Sequence, residues 1–208
     1  PDYFYHYKPG GHVAALHEHL KNEFFFKIDI QNFFYSIARN RVGRALRSWH
    51  VQGAQTYAKW SCIANPYSHG PRYVLPIGFR QSPILASLVL IQSPVLNAIE
   101  RAQDKGVTIS VYLDDFVGSY SDEQVLKNAY EDMCKACLEA NLVPNEKKLV
   151  PPSKAIVAFN CTLSKGSAQV TEARIAKFLA ISHTSIAKQS FDHYVARVES
   201  ANTKQSPS

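Results

Sequence analysis

Two runs of strand-forming residues, Val107 to Leu113 and Phe116 to Tyr120, are separated only by Asp114-Asp115. β-Rich sequence on both sides of so short a break reads as a hairpin with both carboxylates at its tip. Such a tip holds two like charges together. Without cations this is unfavourable, because neighbouring carboxylates repel and one tends to keep its proton. A solvated turn in which Asp simply suits the backbone is the plainer reading of the pair taken alone.

Asp29 shifts that balance. It closes the run Phe24-Phe25-Phe26-Lys27-Ile28-Asp29-Ile30, which is short, aromatic and apolar and is broken only by Lys27 before the carboxylate. The pattern predicts a buried strand whose exit presents an acid. Capping the helical stretch that follows is the structural use such an Asp could have. If the two strands are neighbours in one sheet, three carboxylates converge. Hard oxygen ligands with open positions suit Mg²⁺, which keeps waters and takes phosphates as its remaining ligands. Two such ions about 3.5–4 Å apart activate a hydroxyl and stabilise a departing pyrophosphate.

The rest of the pattern predicts an α+β chain. A short helix is expected over His12 to Lys21, and another over Ala38 to Trp49 with Arg39, Arg41, Arg44 and Arg47 interleaved. Those four arginines do not all share one helical face, so only some can meet phosphates. Asn65 to Pro76 reads as loop. Ser82-Pro83 and Ser93-Pro94 each read as a cap followed by a first-turn proline, so the apolar helix between them is kinked or restarted. Ser121 with Gln124 predicts a capping box opening a helix to about Asn141, with Val125, Ala129, Tyr130, Met133 and Leu138 as its buried stripe. Lys148 to Val150 and Ala155 to Cys161 read as strands, and Thr171 to Ile181 and Ser190 to Ala201 as helices. The polar tail, Asn202 to Ser208, is expected to fray.

Composition narrows the class without naming it. With 208 residues and 46% hydrophobic content, the chain can bury a core. Lys and Arg number 23 against 17 Asp and Glu, which favours a polyanionic partner. The four cysteines (Cys62, Cys134, Cys137, Cys161) form no disulfide framework, and Cys134-x-x-Cys137 lacks the second pair of a zinc finger. A reduced, cytoplasmic setting is expected. No apolar run approaches membrane-spanning length, so no membrane partner is expected. The chain opens on Pro1 rather than Met, which leaves open whether it is a fragment.

Several motifs in order resemble those of reverse transcriptases, bacterial types (retron, group II intron and phage-defence enzymes) more than retroviral ones. Phe26-x-x-Asp29-x-x-x-x-Phe34 is similar to motif A. Leu75-Pro76-Ile77-Gly78-x-x-Gln81-Ser82-Pro83 is similar to motif B, and Tyr112-x-Asp114-Asp115 to motif C. Asn145-x-x-Lys148 resembles motif D, and Ala158-Phe159-Asn160 the primer-grip region.

The resemblance implies a polymerase palm: an antiparallel sheet with helices on one face and the carboxylates at its exposed end. Residues 1–22 would be partial fingers, 23–165 the palm with an inserted fingers segment, and 166–208 the start of a helical thumb and the tail. Asp29 and Asp114 would be the principal metal ligands, with the Ile30 carbonyl assisting and Asp115 more replaceable. The metals would be two Mg²⁺, for which Mn²⁺ could substitute.

Phe34 would be the gate that leaves no room for a 2′-hydroxyl, Phe33 being the core aromatic beside it. Ile77, Gly78, Gln81, Ser82 and Tyr112 would line the nucleotide site. Lys148 would meet the triphosphate as charge partner or as general acid to pyrophosphate. The implied partners are an RNA template, a DNA primer or product and dNTPs.

Three departures stand out. Ile77 occupies a position where many relatives carry Gln. The fingers Lys/Arg pair is not placed, Lys8 being its weak candidate. The thumb is short, and no nuclease-like segment is visible, so a partner chain, an oligomer or a structured RNA would supply the missing grip. Competing readings are an RNA-dependent RNA polymerase, an untemplated or protein-primed DNA polymerase, and a non-catalytic nucleic-acid-binding palm.

Overall fold

The computed structural model describes residues 1–203. Lys204 to Ser208, most of the tail expected to fray, lie outside the described residues. The two tail residues before them are held: the Asn202 side chain exchanges hydrogen bonds with the backbone of Ala168 (2.7 and 3.1 Å), and the Thr203 hydroxyl donates to the Gly166 carbonyl.

In chain order, α1 (Gly11–His19) leads into β1 (Phe24–Asp29), a single turn α2 (Phe33–Ser36), α3 (Arg39–Ser48) and α4 (Ala54–Trp60). A small hairpin of β2 (Ile63–Ala64) and β3 (Tyr73–Val74) makes strand of two residues inside the expected loop over Asn65 to Pro76, because they pair back onto Ile63 and Ala64. Then come α5 (Ser82–Ile91), α6 (Pro94–Asp104), β4 (Thr108–Tyr112), β5 (Asp115–Tyr120), α7 (Glu123–Glu139) and β6 (Val150–Ser153). A meander of β7 (Ala155–Ala158), β8 (Cys161–Ser164) and β9 (Ser167–Val170) precedes α8 (Glu172–Leu179) and α9 (Ser185–Glu199).

The central sheet has the order β4-β5-β1-β6 with antiparallel pairing. β1 is therefore interior, which is why its sequence is an almost unbroken apolar run rather than an alternating one. One face, carrying Phe26, Ile28 and Phe116, packs under α5, α6 and α7 in the larger core. The opposite face carries Phe25 and Val117 into a second cluster with α1, α9 and the β7–β9 meander. On that same face His19 bridges Ser119 (2.7 Å) and Ser110 (2.8 Å), so the buried imidazole is fully partnered. Gly118 faces Phe26 across the ladder, and the ring lies where a side chain would otherwise stand.

The N-terminal segment adds to this sheet's edge. The Val111 amide donates to the Tyr3 carbonyl (2.7 Å), and Phe4 makes a parallel bridge to Val111. Residues expected as partial fingers thus brace β4 directly.

Several local expectations are corrected. Ser82 is not the cap of α5: Gln81 stands there without a side-chain cap bond, while the buried Ser82 hydroxyl donates to the Pro76 carbonyl (2.7 Å). Ser93 does cap α6, accepting from the Val95 amide, and α6 restarts at 69° to α5 because Pro94 forces its predecessor into extended backbone. Asp122, not Ser121, caps α7 (2.9 Å to the Val125 amide), and Gln124 bonds Asn128 instead of closing a box.

The buried stripe of α7 is Leu126, Ala129, Met133, Ala136 and Cys137, with Leu138 exposed. The expected strand over Ala155 to Cys161 is two strands, because the chain reverses at Phe159-Asn160. Both residues of that turn are left-handed (φ 54° and 60°), a tight hairpin geometry that sequence usually signals with glycine. Among the described residues no single helix is long and apolar enough to cross a membrane.

Candidate active site

Asp114 and Asp115 do not share the hairpin tip equally. Tyr112 pairs with Asp115, so the two turn residues are Leu113 and Asp114, while Asp115 already belongs to β5. Leu113 is left-handed at φ 57°, a conformation an L-residue adopts at a cost of about 1–3 kcal/mol and keeps only where its surroundings enforce it. The enforcement is visible. The Leu113 amide donates to Nδ1 of His6 (3.3 Å), whose Nε2 then carries the proton towards the Ser87 hydroxyl on α5 (3.0 Å). On the other side of the turn, the Ile30 amide donates to the Asp114 carbonyl (3.0 Å).

The register of β1 against β5 sets Asp29 opposite Asp115. Residues opposite each other in an antiparallel pair lie on the same face, and the diagonal neighbour is within reach of a long side chain. Lys27, two residues before Asp29, uses that diagonal: its ammonium is 2.9 Å from Asp115 Oδ1. This ion pair is the partner that the buried Oδ1 of Asp115 has. Asp29 is only 4% exposed, with Lys148 Nζ 3.0 Å from Oδ2 and Asn145 Nδ2 3.2 Å from Oδ1. Asn145 is itself fixed, its amide donating to the Asp29 carbonyl (2.8 Å).

The electrostatics follow this packing. Burial pushes the Asp114 carboxyl above the usual range, and the charges of Asp115 and Asp29 push it further the same way. Burial also raises Asp115, partly offset by Lys27. The hydrogen bond to Asp29 raises Lys148, which stays an ammonium. Among the described residues no three His, Cys, Asp or Glu side chains form a ready cation cage. Asp29 and Asp115 instead lean towards the ammonium groups of Lys148 and Lys27. The residue types nevertheless suit hard divalent cations: Asp29 stands opposite Asp115, Asp114 is in the adjoining turn, and two of these carboxyls are held above their ordinary pKa.

A cleft of about 680 Å³ opens beside the cluster, with Tyr112, Leu113, Asp114 and Asp115 on one wall and Phe159, Arg174, Phe178 and Tyr194 among the others. The Tyr112 ring meets His6, His12 and Phe159 edge-on at 5.6–5.9 Å between centroids. Phe178 stacks between His183 (3.9 Å) and Phe191 (4.0 Å).

The remaining predicted site residues fall in two groups. Phe33 is core and Phe34 is half-buried beside it (5.3 Å between rings) at the start of α2, just past Ile30. Ile77 is 63% exposed, and Gly78 is left-handed at φ 89° with open space where a Cβ would stand. Gln81 is half-buried. Ser82 departs from its expected role, since its hydroxyl faces inward and ties the loop after β3 to α5. Lys8 lies over the Tyr5 ring (4.3 Å).

Sequence reasoning missed Lys27, His6 and His12. Lys27 was visible as the one charge interrupting an apolar strand; the two histidines carried no signal, because their partners are about a hundred residues away.

No curated protein sequence matches the chain. Solved structures do. Three foamy viral protease–reverse transcriptase structures, one of the dRH form with double-stranded DNA, one with an RNA/DNA hybrid and one with double-stranded DNA, align at TM-scores of 0.53, 0.55 and 0.52 and 19% identity. They cover 83%, 83% and 82% of this chain, which spans only 27%, 20% and 32% of theirs. That likeness is one of fold. The model of the reverse transcriptase (RNA-dependent DNA polymerase) family matches residues 1–181, a span that holds every carboxylate of the cluster, and the chain belongs to that family.

Proposed function

We propose that this chain copies RNA into DNA, adding deoxynucleoside monophosphates to a 3′-hydroxyl at Asp29, Asp114 and Asp115. The observation that carries the reading is the register that sets Asp29 against Asp115, with Asp114 fixed in the adjoining turn by the Ile30 amide. In the reaction a 3′-oxygen forms a bond to the α-phosphorus, the bond to the β-phosphate oxygen breaks, and the hydroxyl proton leaves to solvent.

Two Mg²⁺ ions, when bound, would lower the pKa of that hydroxyl and neutralise the departing pyrophosphate. Asp29, Asp114 and the Ile30 carbonyl would hold them. Asp115 is the more replaceable ligand, because Lys27 already engages one of its oxygens. Lys148 keeps its proton beside Asp29 and would give charge or a proton to pyrophosphate. Phe34, half-buried past Ile30, would lie under the sugar and disfavour a 2′-hydroxyl.

The order and spacing of the motifs support a bacterial lineage of the retron, group II intron or phage-defence kind. RNA template, DNA primer, dNTPs and a gripping partner belong to the same proposal, as does a reducing cytoplasm, supported by four unpaired cysteines. The test is primer extension on an RNA template with Mg²⁺. Asp114→Asn is expected to lose at least a thousandfold in rate with template binding intact, and an active variant would sink the assignment.

A further inference from the structure

Lys27 and Asp29 are the two charged residues of β1, and alternate residues of a strand share a face. Phe25 stands on that face too and enters the second apolar cluster, so Lys27 is rooted between the core and the carboxylates. Its register neighbours are Val117 on β5 and Val150 on β6, and neither side chain offers a polar atom. The Lys27 side chain is 13% exposed, and among the described residues its one ion pair is with Asp115. A lysine planted in the middle of a sheet between two valines has little room to take its ammonium elsewhere.

The second ammonium of the cluster is held differently. Lys148 stands in the turn before β6 with its side chain 59% exposed, and it reaches Asp29 from the solvent side. A solvated lysine leaves such a contact at little cost, provided that another cation takes over the charge of its partner. A buried pair behaves otherwise, because removing one partner strands the other charge without compensation. The two carboxylates that face each other across β1 and β5 are therefore not equivalent. Asp114, in the adjoining turn, makes no ion pair among the described residues.

We propose that Lys27 is a positioning residue that keeps Asp115 as one half of a fixed ion pair, so that divalent cations are taken by Asp29 and Asp114. Lys148 yields Asp29 to the incoming cation, whereas Lys27 does not yield Asp115. With Lys27 and Asp115 neutralising each other, the charge left for cations is that of Asp29 and Asp114. This deepens the assignment of those two acids as cation holders and rests on it.

The test is Mn²⁺ binding to the full chain, read from the electron paramagnetic resonance of the free ion without nucleotide or nucleic acid. Lys27→Met releases Asp115 as a further ligand, so Mn²⁺ is expected to bind about tenfold more tightly, since ligand charge tunes the affinity of such sites. Lys27→Met combined with Asp115→Asn removes the pair as a unit and should return the affinity to within about threefold of the parent. In EDTA the single variant should melt below the parent, having a buried carboxylate without its counter-charge, and the double variant should melt above the single one. A single variant that binds no more tightly or melts no lower overturns the proposal. So does a double variant that binds more weakly than that range, and the double variant alone decides if the single one does not fold. Asp114→Asn separates this reading from the one beneath it, with an expected loss of roughly tenfold in Mn²⁺ affinity. If that loss is seen and the Lys27 variants do not behave as stated, the role of Lys27 falls alone. If it is not seen, the cation site and the role of Lys27 fall together.

Discussion

The amide of Leu113 donates to Nδ1 of His6, tying the left-handed turn that carries Asp114 to a segment more than a hundred residues away in sequence. His6 acts on the reaction only through that turn. His6→Ala removes the acceptor and frees the turn to relax, so the single-turnover extension rate is expected to fall about fivefold to tenfold, with KM for primer-template little changed. His6→Asn offers an acceptor oxygen at similar reach and should recover part of the loss. Equal effects of both variants on rate and KM would mean that His6 merely supports the fold.

The raised pKa of Asp114 is also a statement about stability. A carboxyl whose folded pKa lies above its unfolded value penalises the fold once ionised. The penalty is full above the folded pKa and absent below the unfolded one. In EDTA near pH 7, Asp114→Asn should therefore raise the melting temperature. Added Mg²⁺ should stabilise the parent chain and do little for the variant. A variant that melts lower in EDTA would contradict the electrostatic reading of the cluster.

His19 gives the opposite sign. Burial holds its pKa down at about 3 between Ser119 and Ser110, so the folded state carries it neutral while the unfolded chain protonates near its ordinary value of 6.5. Its contribution is complete above pH 6.5 and drains away as pH falls towards 3. By pH 4.5 the loss is on the order of 2–3 kcal/mol. Urea unfolding across pH 4.5–7.5 reads it directly, and His19→Gln should flatten the slope.

Gly118→Ala sets a Cβ against the Phe26 ring in the centre of the sheet. Overpacking of this kind costs about 1–3 kcal/mol. Phe26→Leu in the same chain should return part of it, because the smaller side chain clears the space. Chemical denaturation of the two single variants and the double variant measures the coupling.

Phe34→Ala opens the space beneath the proposed sugar position while leaving the buried Phe33 in the core. Ribonucleotide incorporation should rise by on the order of tenfold relative to deoxynucleotide. Competition between the two triphosphates on one primer gives the ratio, and an unchanged ratio would remove Phe34 from the gate.

Much of this was legible because it rests on local pattern. The aromatic run from Phe24 to Ile30 located β1, which ends one residue earlier at Asp29, and the β-rich runs around Asp114-Asp115 located the hairpin. Ser93 read correctly as a cap because its signal, with Pro94 beside it, is complete within two residues. What sequence hid depends on distant or unusual geometry. Phe159-Asn160 contains no glycine, so its left-handed turn looked like continuous strand. The stripe of α7 was misjudged because small residues, Ala136 and Cys137, are buried while the larger Leu138 faces solvent. The tilt of Asp29 and Asp115 towards two lysines is a tertiary outcome, and no motif encodes it.

The sheet order β4-β5-β1-β6 has a consequence for how the chain becomes competent. Asp29 finds Lys148 only across 119 residues and Asn145 only across 116, and its cross-strand neighbour Asp115 is made before either. Each of these contacts to Asp29 is thus long-range, the kind that pays loop-closure entropy before it returns any binding. A nascent chain that has emerged through β1 holds its first acid with nothing to set against it until most of the remaining sequence is made. Competence therefore comes all at once and late, and a chain truncated before Asn145 would be silent rather than slow.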